Sequence, residues 1–257
     1  MTTETGLTEM LREAEKAYNE KRYLDARNLI KERKEAFIKG GMGAVALRRW
    51  AWVAYYLGNE GNPQWKKWII ENPIFYEEAT KIGEEALNYE ADSTVRVSIL
   101  NVLPLSTRWT KGEKGEFRRQ EAYRWSDRGI KEAKASGKTD LISSAQNTRN
   151  ILLREDKNFA EAKKGCQEVF MASVLAGDFR TAGHGKQNKG DTIRLEIESE
   201  EQVIATAEII GVLHKEAIVA YRTAQAMYAL AERVSGEKAT AHYESAGRKA
   251  EEEAAKI

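Results

Sequence analysis

Between Val203 and Ala231 the chain sets small and apolar residues at steps that alternate between four and three. The series is Val203, Ala207, Ile210, His214, Ala217, Tyr221, Ala224, Tyr228 and Ala231. That rhythm matches the turn of an α-helix, so it specifies a long helix with one face held against a neighbour. Its alanines require the neighbour to approach closely, and Ile204, Leu213, Ile218 and Met227 lie off the seam and ask for contacts on further sides.

The remainder of the chain favours the same kind of structure. Only three prolines interrupt 257 residues, so long helices can form with few breaks. A hydrophobic fraction of 42% supplies a core. The 41 basic and 40 acidic residues leave a net charge of +1, which removes any overall pull toward nucleic acid or anionic lipid and leaves recognition to local patches. Cys166 is the one cysteine, so an internal disulfide and a thiolate metal cluster are both ruled out; a reducing, cytoplasmic setting is expected. No segment reaches the roughly 20 apolar residues of a membrane span, and the opening MTTETGLTEM lacks the basic start and apolar centre of a leader.

Punctuation residues divide the chain into expected helices. LTEMLREAEKAY and YLDARNLIKERKEAFIK flank the turn NEKR, and Gly40-Gly41 ends the second. A third helix runs from about Ala44 to Leu57. Asn62-Pro63 and Asn72-Pro73 each read as an N-cap followed by proline at the first helical position, opening PQWKKWIIE and PIFYEEATKIGEEALNY. Asp92 or Ser93 caps the next helix, which Pro104 is expected to kink or end. Helices follow at about 116–135, 139–154 and 158–176, cut at Gly137 and Gly177. The stretch GDFRTAGHGKQNKGDTIRLEIES carries four glycines and an alternating TIRLEIE, the pattern of a loop with a short strand. Ser199 and Gln202 form a capping box for the long seam helix, and EKATAHYESAGRKAEEEAAK supplies a final one.

Several segments share an aromatic residue, an alanine three positions on, and a small or apolar residue four beyond that. They are Tyr23-Ala26-Ile30, Tyr76-Ala79-Gly83, Phe159-Ala162-Cys166 and Tyr243-Ala246-Ala250, with a shortened form at Phe179-Ala182. Ahead of the second, Trp50, Val53, Ala54 and Leu57 follow first-helix spacing. Together these resemble the tetratricopeptide repeat in a degenerate form, although that repeat has a period near 34 residues and the spacings here are longer. The resemblance implies an all-α fold of antiparallel helix pairs, stacked as a right-handed superhelix or an α-α bundle; the glycine-rich stretch adds one irregular or β-like loop near 179–198. The fold would form a single domain across 1–257, with room for a sub-boundary near 177–199.

Trp50 to Trp68 holds four tryptophans and two tyrosines. Trp52, Tyr55 and Tyr56 fall on one face of their helix, and Trp50, Val53, Ala54 and Leu57 on the other, so packing accounts for these rings. The candidate binding surface is the basic run Arg108, Lys111, Arg118, Arg119, Arg124 and Arg128, interleaved with Trp109, Phe117, Tyr123 and Trp125; Lys66 and Lys67 between Trp65 and Trp68 join it, and Arg48-Arg49 form a further basic cluster. The competing reading is a solvated helix face cancelled by glutamates. In AGHGKQNKGDT, Gly183, Gly185 and Gly190 with Lys186 and Lys189 form the nearest approach to a phosphate cradle, and His184 is the histidine best placed for function. Gln187 follows Gly185-Lys186 where a P-loop needs serine or threonine, which favours a plain surface connection. His214 sits on the packing seam. No zinc, nucleophile-elbow or catalytic-cysteine motif occurs, so no metal, cofactor or catalytic residue is assigned. The resemblance implies a scaffold that grips a peptide or partner protein in a helical groove. The alternative is a nucleic-acid-associated protein using 108–128, and a third reading is an enzyme with a lid at Gly183–Gly190.

Overall fold

The structure is a computed structural model, and it describes residues 4–59, 73–112, 115–200 and 207–235. Those residues are all-helical; apart from one isolated bridge between Lys111 and Phe117 they contain no strand. The chain divides into two compact units, Met1–Ser136 and Gly137–Ile257. None of the described helices is long and apolar enough to cross a membrane.

The first unit contains α1 (Glu4–Asn19), α2 (Tyr23–Lys31), α3 (Lys34–Lys39), α4 (Gly43–Asn59), α5 (Pro73–Ala86), α6 (Ser93–Thr107) and α7 (Arg119–Ser136). The α1–α2 reversal turns on Lys21, which adopts a left-handed φ of 60°. The Arg22 N–H then donates to the Ala17 carbonyl at 2.8 Å and the Lys21 N–H to Tyr18 at 3.0 Å, satisfying carbonyls that the helix end leaves open. The segment expected as one helix from Tyr23 to Lys39 is broken at Glu32-Arg33, and the break lets Phe37 turn fully into the core. Pro104 does not end α6. Only one turn follows it, the Arg108 N–H closes back onto the Pro104 carbonyl at 3.3 Å, and Asp92 caps the other end through the Val95 N–H at 2.8 Å.

Helix α4 is central to this unit. Trp50, Val53, Ala54 and Leu57 are sealed, and small residues bring α4, α5 and α6 into close approach: a side chain at Gly58 would meet the Tyr76 ring at 2.9 Å, and one at Gly83 would meet Leu103 at 2.9 Å. Ile30, Leu47, Ile82, Ile99 and Leu100 fill the interior around them, each aliphatic side chain contributing about 1.5–3 kcal/mol by leaving water. Glu78 on α5 receives Arg27 of α2 through both oxygens, at 2.7 and 2.8 Å, and also accepts the Trp50 indole N–H of α4. One carboxylate thereby joins three helices.

The second unit contains α8 (Thr139–Glu155), α9 (Phe159–Leu175), α10 (Phe179–Glu200) and α11 (Ala207–Ser235), the last three each packed on the helix before it. Gly137, Lys157 and Gly177, each two positions before the start of one of the first three helices, all have left-handed φ and lie twenty residues apart in each step. At Lys157 and Gly177 the same hydrogen-bond pair recurs as at Lys21, Asn158 donating to Leu153 at 2.8 Å and Asp178 to Ser173 at 2.9 Å. Between α8 and α9 the contact is polar: Ser143 and Ser173 share a hydrogen bond of 3.1 Å, and Asn150 lies against Gly165 and Cys166.

The glycine-rich stretch corrects the reading of a loop and strand near 179–198. It is the continuous helix α10, so the suggested sub-boundary at 177–199 falls mostly within a helix. Gly183 lies under the Tyr228 ring, Gly190 under the Tyr221 ring, and Gly185 against the Phe170 backbone and Val169 of α9. A glycine inside a helix costs about 1 kcal/mol relative to alanine, which close packing of the tyrosine rings offsets. The apparent alternation dissolves as well. Ile193 and Ile197, four apart, are buried together against Leu213, Ala217 and Tyr221, whereas Leu195 between them is half-buried. The seam of α11 is realised in Ala217, Tyr221, Ala224 and Tyr228, all buried; Val203 lies outside the described residues.

Candidate functional site

The face of α4 opposite its sealed side presents Arg48, Arg49, Trp52, Tyr55 and Tyr56, as helical spacing requires. Tyr56 stacks on Tyr23 of α2 with centroids 5.3 Å apart and ring planes 12° apart, and Tyr18 of α1 contacts both. Trp52 stacks on Tyr56 at 5.9 Å and meets Tyr55 edge-on. From Tyr55 the chain of rings continues through Tyr76 and Trp109 to Phe117. These rings form an unbroken band whose Tyr18, Tyr23, Trp52, Tyr55 and Tyr56 members are half-buried, neither sealed in the core nor open to water. The expectation that packing accounts for the rings of α4 therefore holds in full for the Trp50 face only.

Polar groups fix the band. The Trp52 indole N–H donates to Ser98 of α6, to the carbonyl at 3.2 Å and the hydroxyl at 3.1 Å, and the Tyr76 hydroxyl donates to Asn59 at 2.7 Å. The Arg49 guanidinium covers the Tyr18 ring at 4.4 Å while pairing with Glu15 at 2.8 Å. Burial, and then the neighbouring tyrosines, push the Tyr56 hydroxyl above its ordinary value. Burial first, and then Arg49, push the Arg48 guanidinium below its own.

The residues read from the sequence as a basic binding run are dispersed. Arg108 is 3% exposed and lies 4.7 Å over the Trp109 ring. Arg118 pairs with Glu121 and, at 3.6 Å, with Glu84. Arg128 pairs with Glu132 at 3.1 Å and covers Trp125 at 5.6 Å. Lys111, Arg119 and Arg124 are exposed. Trp65, Lys66, Lys67 and Trp68 lie outside the described residues.

His184, Lys186 and Lys189 stand on α10 instead of in a loop, so the glycine backbone beside them is committed to helical hydrogen bonds and presents no cradle for an anion. His184 contacts the Tyr228 hydroxyl through Nδ1 at 3.2 Å, and that hydroxyl donates to Gln187 at 2.7 Å. Lys186 donates to Gln167 at 2.8 Å and lies 4.3 Å over Phe170; burial, then Lys189, lower its pKa. Lys189 pairs with Glu216 at 2.8 Å. Among the described residues no group of three or more histidine, cysteine, aspartate and glutamate side chains is arranged to hold a metal ion.

The α4 face joins Arg48, one of a basic pair legible in the sequence, to two rings that the sequence reading gave to packing: Arg48, Trp52 and Tyr55 recur at the i, i+4, i+7 spacing of one helical stripe. That spacing was visible, but an aromatic stripe in a sequence has the same form whether it faces a core or a groove. No protein-family model matches this chain, and a search among curated proteins returns no match.

Proposed function

We propose that this protein is an interaction scaffold, built on tetratricopeptide-like helix pairing, that binds a peptide or partner protein along a helical groove. The observation that carries this reading is the half-buried aromatic band across α1, α2 and α4, with the Trp52 indole bonded to Ser98 and its rings held in mutual contact. Rigid rings that retain partial exposure give a partner apolar area at small entropic cost. The left-handed turns preceding an aromatic residue and, three positions later, an alanine, at Tyr23-Ala26, Phe159-Ala162 and Phe179-Ala182, support the tetratricopeptide-like pairing; all three alanines are fully buried. Two steps of twenty residues make 40 residues per helix pair in the second unit, longer than the roughly 34 of the tetratricopeptide repeat.

Nucleic-acid association through 108–128 draws less support, because Arg108 is buried and Arg118 and Arg128 are already engaged with glutamates. The test is affinity capture with the wild-type chain and Trp52→Ala in parallel, with circular dichroism confirming that both are folded. A specific partner held by wild type and lost on the variant is the expected result. Recovery of no partner, or equal retention by both proteins, would defeat the proposal.

A further inference from the structure

Arg48 occupies a distinctive position on the α4 face. Two carboxylates are near enough to influence it, Glu15 of α1 and Asp92 at the start of α6. Each is engaged elsewhere: Glu15 accepts Arg49 at 2.8 Å, and Asp92 caps α6 through the Val95 N–H at 2.8 Å. Among the described residues Arg48 has no ion pair of its own, although its side chain is half-buried and part of its hydration is gone. A guanidinium in that condition has already lost water without gaining a carboxylate, so an incoming carboxylate meets a reduced desolvation cost and a planar fork that fits both of its oxygens.

The surroundings specify the rest of the ligand. Trp52 and Tyr55 follow Arg48 one and two turns along the same stripe. Seven residues of helix rise about 10 Å, a distance that about three residues of extended peptide cover. From this arrangement we infer that Arg48 anchors an acidic side chain of an extended peptide whose apolar residue, about three positions away, rests on Trp52 and Tyr55. This inference depends on the peptide-binding reading above and names the chemistry its partner carries. A nucleic acid fits less well, since a continuous track of phosphates asks for several available cations and Arg49 beside Arg48 is already paired with Glu15.

The experiment is selection of a random linear-peptide library, displayed on phage, against the immobilised full chain, followed by affinity measurement for Arg48→Gln, Arg48→Lys and the exposed α11 variant Arg222→Gln. The expected result is enrichment of peptides with an aspartate or glutamate about three residues from an apolar residue. These should bind Arg48→Gln about tenfold more weakly, a loss of about 1.4 kcal/mol, bind Arg48→Lys at an intermediate level, and bind Arg222→Gln as wild type. If Arg48→Gln does not fold, several-fold weakening by Arg48→Lys is required instead. Enrichment without an acidic consensus, or equal binding by the Arg48 variants, overturns the inference and leaves the peptide-binding reading standing. No enrichment on wild type overturns both. Single-stranded RNA retained by wild type and released by Arg48→Gln overturns the peptide as occupant.

Discussion

Tyr228 lies across Gly183 so closely that a methyl group on the glycine would come within 2.6 Å of its ring carbons. Seven residues further along α10, Gly190 holds the same relation to Tyr221, seven residues back along the antiparallel α11, at 2.7 Å. Two notches and two rings therefore set the register of this helix pair, and each tyrosine hydroxyl completes the fit by bonding Gln187 or Asp191 of α10.

Alanine at Gly183 or Gly190 gains about 1 kcal/mol of helix propensity but forces displacement of a packed ring, which costs about 1–3 kcal/mol. Both variants are expected to lose stability. Gly211 on α11 has nothing within 4 Å of the position a Cβ would take, and there alanine should stabilise. Urea unfolding followed by circular dichroism distinguishes the two classes, and a stabilised Gly183→Ala would refute the notch.

Replacing Glu78 by glutamine removes the charge that draws Arg27 and Trp50 to α5. The charged hydrogen bonds lie in a poorly exposed site, so the loss should be about 2 kcal/mol. Urea midpoints report the loss, and a shift in tryptophan emission tests whether the Trp50 indole is released. An unchanged midpoint would mean that this carboxylate does not join the helices energetically.

Lys157 carries a left-handed φ of 60° at a position where its counterparts Gly137 and Gly177 are glycine. The left-handed conformation costs an ordinary residue about 1–2 kcal/mol. Lys157→Gly should thus raise the thermal midpoint and Gly177→Ala should lower it. Calorimetry on both variants checks the opposed signs.

Glu132 is held below its ordinary value of 4.5 chiefly by its hydrogen bonds to Arg96, with Arg128 assisting against the effect of burial. A carboxyl whose folded pKa is depressed stabilises the fold above its unfolded value and loses that contribution as pH falls through the folded one. Wild type should therefore exceed Glu132→Gln in urea midpoint at neutral pH, and the gap should close on acidification below 4.5. A constant gap across that range would exclude the linkage.

Cys166 is wholly inaccessible, and burial, the largest influence on it, pushes its thiol up to about 11. Iodoacetamide should leave the native protein unmodified near neutral pH and label it once urea unfolds it. Rapid alkylation of the native state would show that α9 opens locally.

Much of this architecture was legible from local chemistry. Pro73 opens α5 as its missing N–H allows, Asp92 caps α6, and Gly137 and Gly177 mark helix ends through the conformation they adopt. Local chemistry failed at α10, where the preferences of Gly183, Gly185 and Gly190 point away from helix and only the side chains of α9 and α11 reverse the outcome. It failed again for the basic run. Arg108, Arg118 and Arg128 are neighbours in sequence, yet their partners Trp109, Glu84, Glu121 and Glu132 determine which charge remains available. The α4 stripe was readable as a stripe, but its half-exposed state depends on where α1, α2 and α6 stop covering it.

The even interval between Gly137, Lys157 and Gly177 makes length a quantised variable in the second unit. Deleting or duplicating one interval reverses the direction in which every later helix runs, whereas a change of two intervals restores it. Tolerance of insertions there should therefore alternate with the parity of added helices, a property that belongs to the turns and not to any one contact.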